Sequence, residues 1–181
     1  MPRRIFQLKV SLTGVHPPIW RRVLVPGGYT LDRLHRVVQH AMGWRDCRLH
    51  SFEIDGVPYG EPDPDAEPAV RDELDTRLDA VAGRGSRFGY VYDFGDWWEH
   101  ELVVEDVLAA DPGERYPSCP AGERAGPPEG VGGPAGQALL LAALTDPHHR
   151  EHTAMRDWVG GRYDPEAFDT DRTTVLLRRF C

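Results

Sequence analysis

The chain has 181 residues, 40% hydrophobic and 28% charged, with 29 acidic and 21 basic side chains and a formal net charge of −8. A chain of this length buries roughly two-thirds of its unfolded surface, so stability requires neither a disulfide framework nor a structural metal, and the three scattered cysteines, Cys47, Cys119 and Cys181, point to free thiols in a reducing compartment. No apolar run of about 18 residues exists to cross a membrane, and Met1–Val10 reads charged and then alternating rather than as a signal peptide, so the expected address is cytoplasmic.

Phe6, Leu8, Val10 and Leu12 alternate with Gln7, Lys9 and Ser11, the period of a half-buried strand. After Pro17-Pro18, Ile19–Val25 supplies a second strand with Ile19, Val23 and Val25 on one face and Trp20 and Leu24 on the other, ended by Pro26-Gly27-Gly28. Thr30 stands as an N-cap and Asp32 in a first turn, and Leu31, Leu34, Val37, Val38, Ala41 and Met42 recur at helical spacing until Gly43, which predicts a helix over 31–42. Leu49–Ile54 alternates again, and Asp55-Gly56 before Val57 and Tyr59 is the signal of a tight hairpin. Glu61–Glu67 is a polar, Pro-rich loop, and Leu74, Leu78 and Val81 mark one or two helical turns.

Phe88, Tyr90, Tyr92 and Phe94 line one face of a further strand, Gly95-Asp96 turns, and Trp97–Val107 returns with Trp98, His100, Leu102 and Val104 on one side. This aromatic hairpin is the expected centre of the core. From Asp111 to Gly136 thirteen of 26 residues are Gly or Pro, which predicts a long ordered loop or hinge and no regular element. Helical spacing returns in Leu139–Leu144, Thr153–Val159 and Thr174–Phe180. The expected architecture is α+β: an antiparallel sheet with a packed N-terminal helix, a long Gly/Pro loop and a C-terminal helical segment. One domain is expected over 1–181, with 1–110 mainly sheet plus helix, 111–136 the loop and 137–181 helical.

Charge is unevenly distributed: residues 1–50 sum to +7, 51–114 to −14 and 115–181 to −1. A basic N-terminal surface would suit a phosphate or nucleic-acid contact, although segments of opposite sign packed together neutralise each other. Twenty of the 21 basic residues are Arg, a bias that fits a G+C-rich coding sequence as well as it fits phosphate recognition.

Chemistry-bearing residues form three candidate sets. Asp93-Phe94-Gly95-Asp96 contains the magnesium-binding tripeptide of protein kinases, but the glycine-rich loop and His-Arg-Asp loop that would accompany it are absent. His148-His149-Arg150-Glu151-His152 has the spacing of an inverted zincin, set against the plainer reading of a solvated first helical turn. A looser set, His50, Asp93, Asp96, His100 and Cys119, offers imidazole, carboxylate and thiolate to zinc or another divalent metal, with Glu99 as a candidate base. Against it stands the reading of Asp93 and Asp96 as turn caps, Glu99 as solvated and the two histidines as hydrogen-bonded core-margin residues. Cys119 with His100, or Ser51 beside His50, has no spacing that marks a nucleophile.

Taken in order, the blocks Pro-Pro-Ile-Trp-Arg-Arg at 17–22, Leu-His-Ser-Phe-Glu-Ile at 49–54, Tyr-Asp-Phe-Gly-Asp-Trp-Trp-Glu-His at 92–100, Cys119, Gly122, Arg124, Pro127-Pro128-Glu129, Gly132-Gly133 and Tyr-Asp-Pro-Glu-Ala-Phe-Asp at 163–169 resemble the plasmid pRiA4b ORF-3-like proteins, also labelled TnpR-type passengers of insertion elements. The resemblance implies an α+β fold with antiparallel strands and occurrence on chromosomes, plasmids and mobile elements, and it implies no activity. The resolvase-like label does not transfer, since no serine-recombinase context and no basic helix-turn-helix is present. Members often carry a cysteine where this chain has Gly126, and sometimes a further one where it has Val131, so a metal set that included those thiols would be incomplete here.

Two functions are therefore expected in competition. The first is a binding or accessory module of mobile-element type that recognises a protein or nucleic-acid partner through Trp20, Arg21, Arg22, Tyr92, Trp97 and Arg124, since Trp and Arg are favoured interface anchors. The second is a metal-dependent hydrolase or nuclease built on His50, Asp93, Asp96, His100 and Cys119.

Overall fold

Strands in this chain form where apolar and polar residues alternate, because only one face of the resulting sheet is covered. The computed structural model describes residues 3–181. Its elements are β1 (Arg4–Leu12), β2 (Trp20–Pro26), α1 (Leu31–Met42), β3 (His50–Ile54), β4 (Val57–Gly60), β5 (Arg71–Asp72), α2 (Leu78–Val81), β6 (Arg87–Tyr92), β7 (Trp98–Ala109), β8 (Ser118–Glu123), α3 (Gly133–Thr145), α4 (His152–Trp158) and α5 (Thr170–Phe180). The eight strands form one sheet in the order β5-β4-β3-β6-β7-β1-β2-β8. Every pairing is antiparallel except the short β4–β5 contact. The expected α+β class is the one observed, and no helix among the described residues is long and apolar enough to cross a membrane.

Register brings the inward residues into rows. Val10 lies between Arg21 of β2 and Leu102 of β7, and Tyr90 of β6 lies between Phe52 of β3 and His100 of β7. The covered face buries Leu8, Val10, Val23, Val25, Phe52, Tyr90, Leu102 and Val104 under α1, whose Leu31, Leu34, Val37 and Val38 are fully buried. Each such side chain contributes about 1.5–3 kcal/mol by leaving water, so this face carries most of the stability. The opposite face is polar and cross-strand paired: Arg22 reaches Glu105 at 2.6 Å, Gln7 reaches the same carboxylate at 2.8 Å, and Arg87 pairs with Glu101.

The first helix has the predicted limits, with Gly43 in the left-handed region (φ 85°) closing it, although Thr30 makes no side-chain cap bond to the backbone. Asp55 and Gly56, at φ 51° and 74°, form the predicted hairpin turn. Three expectations are corrected. The alternation of the aromatic strand stops at Tyr92, because Asp93 takes φ 56° and its Oδ1 accepts the Gly95 and Asp96 N–H groups, so Phe94 turns outward at 46% exposure. The helical turn after the acidic loop is confined to Leu78–Val81, and Leu74 stands exposed outside it.

The third correction is that the Gly/Pro segment expected to hold no regular element contains the strand Ser118–Glu123 and, from Gly133, the first turn of α3. β8 pairs with β2 at the sheet edge, with a register shift between Arg22 and Leu24 opposite Pro120. An edge position and a bulge are where a strand tolerates a proline without an N–H. Gly122 is needed on this strand, since a Cβ there would lie 2.6 Å from the Phe168 ring, which packs on β8 from the segment before α5.

Candidate functional site

Two polar side chains sit on the apolar stripe of α1. His35 and Gln39, one turn apart, fall among Leu31, Leu34 and Val38 and are 3% and 1% exposed. Helical spacing was the signal that could have revealed them, but core-facing positions were read there only for apolar residues. The Asp46 N–H donates to Gln39 Oε1 at 3.0 Å, and Gln39 Nε2 donates to Tyr90 Oη at 2.9 Å. With its oxygen so engaged, the Tyr90 hydroxyl gives its proton to His35 Nδ1 at 2.7 Å, which leaves the His35 proton on Nε2, facing Asp46 Oδ1 at 2.7 Å. A backbone N–H thus sets the direction of a closed ring of four hydrogen bonds and the tautomer of His35. Burial keeps the Tyr90 hydroxyl protonated by raising it well above its usual value. Burial first and the neighbouring His50 second pull His35 down to about 4, so it is neutral at pH 7.

His50 begins β3 and stacks on His35 with ring centres 3.4 Å apart and planes 8° from parallel. Its Nε2 meets Glu73 Oε2 at 2.8 Å, and Glu73, just beyond β5, is 8% exposed. On the next residue of the loop after α1, the Cys47 thiol donates to Glu129 Oε2 at 2.7 Å, while the Tyr92 hydroxyl and the Arg45 N–H donate to Glu129 Oε1 at 3.1 and 2.7 Å. Glu129 therefore ties the segment after β8 to the loop after α1.

Between these two segments and the chain running from the end of α4 into α5 lies a cavity of about 940 Å³. Arg45, Arg162 and Arg172 line it, all exposed, beside Trp158, which is 50% exposed. None of the three guanidiniums is ion-paired among the described residues. The two carboxylates on the same walls are already engaged: Glu129 by the three donors above, and Asp169 as the cap of α5, accepting from the Arg172 N–H. The cleft thus presents free cations and satisfied anions in a chain whose net charge is −8, and a locally positive concavity of this kind concentrates anionic ligands.

The loop wall of the cleft is pressed against α1. A Cβ at Gly126 would stand 1.9 Å from the Met42 carbonyl oxygen, so a cysteine of the kind the family resemblance places there does not fit this backbone, and Val131 packs partly buried against the core. Gly126→Ala is expected to cost about 2 kcal/mol through forced separation of loop and helix, read as a lower denaturant midpoint; an unchanged midpoint would show the loop free to move.

The predicted metal donors do not converge. Among the described residues the His/Cys/Asp/Glu group with ligand atoms within 4.8 Å of one another is His35, Asp46 and His50, and it shares only His50 with the expected set. Asp93 caps its turn and faces Arg48 at 3.6 Å, and Asp96 Oδ2 accepts the Gly132 N–H at 3.1 Å. Glu99 projects from the exposed face of β7. His100 is 1% exposed, with Nδ1 donating to the Trp98 carbonyl at 2.9 Å, and Cys119 is fully buried with its thiol on the Ala121 carbonyl at 3.4 Å. Burial pushes that thiol up to about 11, so it is not an activated nucleophile. The inverted-zincin pattern fails because His148 and His149 lie in the turn before α4, and His152, its first residue, turns Nδ1 to the Ala143 carbonyl.

Nor do the predicted partner-binding residues share one surface. Strand alternation sends Trp20 and Arg22 to the open face, where they bond Glu123 and Glu105, and buries Arg21 on the other. Tyr92 is 1% exposed, Arg124 is paired with Glu166, and Trp97 stands exposed at the turn. Arg21 lines the inner wall of the cleft, but its guanidinium is consumed by four backbone carbonyls and cannot serve a ligand.

Residues 4–172 match the family described as Plasmid pRiA4b ORF-3-like protein. A curated relative, Uncharacterized protein y4hQ of Sinorhizobium fredii, is 38% identical over 170 residues, spanning 92% of this chain and 87% of that protein. A crystal structure described as a protein of unknown function, MM3350 from Methanosarcina mazei Go1, superposes with a TM-score of 0.87 at 35% identity, covering 95% of this chain and 98% of that one.

Proposed function

The chain belongs to the plasmid pRiA4b ORF-3-like family, and from that premise we propose that it is a binding module, an accessory protein of the mobile-element kind, whose cleft holds a short stretch of single-stranded nucleic acid. The observation that carries this reading is the meeting of three unpaired guanidiniums, Arg45, Arg162 and Arg172, with the exposed Trp158 ring around one cavity of about 940 Å³. Guanidiniums take phosphate oxygens through their planar fork. An exposed indole offers a stacking surface to any base, worth about 1–3 kcal/mol per base. Glu129 and Asp169, the two carboxylates on the cleft walls, have oxygens engaged by neighbouring N–H, O–H and S–H donors, and the three free guanidiniums outnumber them.

The test is fluorescence anisotropy of a labelled oligothymidylate at low salt, with Trp158 quenching as a second signal. Replacing Arg45, Arg162 and Arg172 together by Ala is expected to weaken binding at least about tenfold and to flatten the dependence of log affinity on log salt by about 2, since each phosphate contact on a single strand contributes roughly 0.7. If the triple variant binds as the parent does, the cleft is not the site. If a polyglutamate peptide binds the cleft as tightly and without quenching, the partner is an acidic protein segment instead.

A further inference from the structure

We propose that His35, Asp46 and His50 form a site for one exchangeable divalent transition-metal ion, with Glu73 orienting His50 from behind. The three donors come from α1, from the loop that follows it and from the first residue of β3, and their ligand atoms lie within 4.8 Å of one another. Two imidazoles and a carboxylate are the donor set of zinc, cobalt or nickel rather than of calcium or magnesium. The stack holds the two ring centres 3.4 Å apart, so both imidazoles already stand beside one point and must splay from the stack for their in-plane lone pairs to meet at one ion.

His50 has the carboxylate outer partner that metal-bound histidines use, and His35 has a hydroxyl at the corresponding place that must turn from donor to acceptor. Glu73 meets His50 Nε2 at 2.8 Å and leaves Nδ1 for the ion, and Tyr90 meets His35 Nδ1 at 2.7 Å and leaves Nε2. Asp46 stands at the rim with its side chain 51% exposed, so the coordination sphere opens to water, and its backbone is held at φ 53°.

Binding requires a definite rearrangement. The rings fan apart at the edge facing the ion so that each lone pair points to it. The ion takes the place of the His35 Nε2 proton, which passes to Nδ1; Tyr90 then accepts from Nδ1 and donates to Gln39 Oε1 as that amide turns over. No proton is lost or gained by the ring. Asp46 gives up the acceptor of its N–H in exchange for the ion, and this cost makes the site exchangeable rather than a permanent structural centre.

The experiment is titration of the chelator-treated full chain with cobalt(II), followed by its visible ligand-field band and by displacement with zinc. One equivalent is expected to bind. His50→Gln and Asp46→Asn, both at partly exposed positions, are each expected to lose at least about tenfold in affinity while unfolding near the parent temperature, and Glu73→Gln about tenfold. A variant with His148, His149 and His152 all changed to Gln is expected to bind like the parent. No band, a band unaffected by His50→Gln and Asp46→Asn, or a band that disappears with the triple variant would each overturn the assignment. The oligonucleotide reading is independent, since none of these donors lines the cleft.

Discussion

Replacing Arg21 with Ala is expected to remove about 4 kcal/mol or more of stability, a large part of the 5–15 kcal/mol that a domain has in total. Arg21 is 1% exposed, and its guanidinium donates to the carbonyls of Ala41 at 2.7 Å, Trp20 at 2.7 Å, Glu123 at 2.8 Å and Arg124 at 2.7 Å, with Phe168 stacked 4.0 Å from its centre. One side chain therefore joins β2, the C-terminal end of α1, the end of β8 and the segment before α5. The Ala41 carbonyl is among the last four of α1, which have no partner within the helix, and a cation there also meets the negative end of the dipole. Burial lowers the guanidinium to about 10, so it remains charged at neutral pH. Truncation leaves the carbonyls without their donor at about 1–3 kcal/mol for each one buried, and opens a cavity besides. Arg21→Lys should recover little, because a single ammonium cannot span the four acceptors. Urea unfolding of the two variants provides the measurement, and a loss under about 1 kcal/mol for Arg21→Ala would mean that the clamp is not structural.

Acid is expected to destabilise the protein well above the carboxylate range, and His100 should account for about 3 kcal/mol of that loss between pH 7 and pH 4. Its ring is enclosed by Trp44 and Tyr90, with centres at 5.3 and 5.2 Å; Nδ1 donates to the Trp98 carbonyl and Nε2 has no partner among the described residues. Burial holds it down to about 4, against the carbonyl bonds that act in the other direction. Because the folded value lies below the unfolded value of about 6.5, the unfolded chain binds the additional proton in that window. Stability then falls as pH falls from 6.5 towards 4 and levels off below. His100→Phe keeps a ring of similar size that cannot take up a proton. It should be less stable than the parent at pH 7, having lost the bond to Trp98, yet lose about 3 kcal/mol less on going to pH 4. Parallel decline of parent and variant in chemical unfolding across this range would show that His100 titrates normally.

These two residues mark the boundary of what pattern reading could reach. His100 was placed correctly on the inward side of its strand, next to Trp98, Leu102 and Val104, because period-two alternation assigns a face whatever the side chain's chemistry. The sequence leaves its role open between metal ligand and hydrogen-bonded core histidine, because a histidine on an inward face has the same pattern whether it meets an ion or a carbonyl; here its Nδ1 meets the Trp98 carbonyl. Arg21 belongs to the face of Val23 and Val25 by the same alternation, but a charged residue at that position is read as outward by composition. Only the arrival of α1 and β8 at its guanidinium makes burial tolerable. The strand Ser118–Glu123 was hidden for a related reason: Pro120 and Gly122 lower strand propensity, and pairing with β2 at a bulged edge overrides it.

What the sequence by itself determined is local and periodic: the limits of α1, the Asp55-Gly56 hairpin, the aromatic core strands, the C-terminal helices and, through ordered motif blocks, the family. Those features depend on residues within a few positions of one another, where spacing translates directly into a face or a turn. The tertiary structure alone decided which polar groups meet. His35 and Asp46 are joined through Tyr90 and Gln39, Glu73 reaches His50 across 23 positions, and Arg45 shares a cleft with Arg162 and Arg172 from the other end of the chain. Hydrogen bonds and charge contacts act over a few ångströms in space, and the separation of two residues along the chain carries no record of that distance until the sheet and α1 have fixed it.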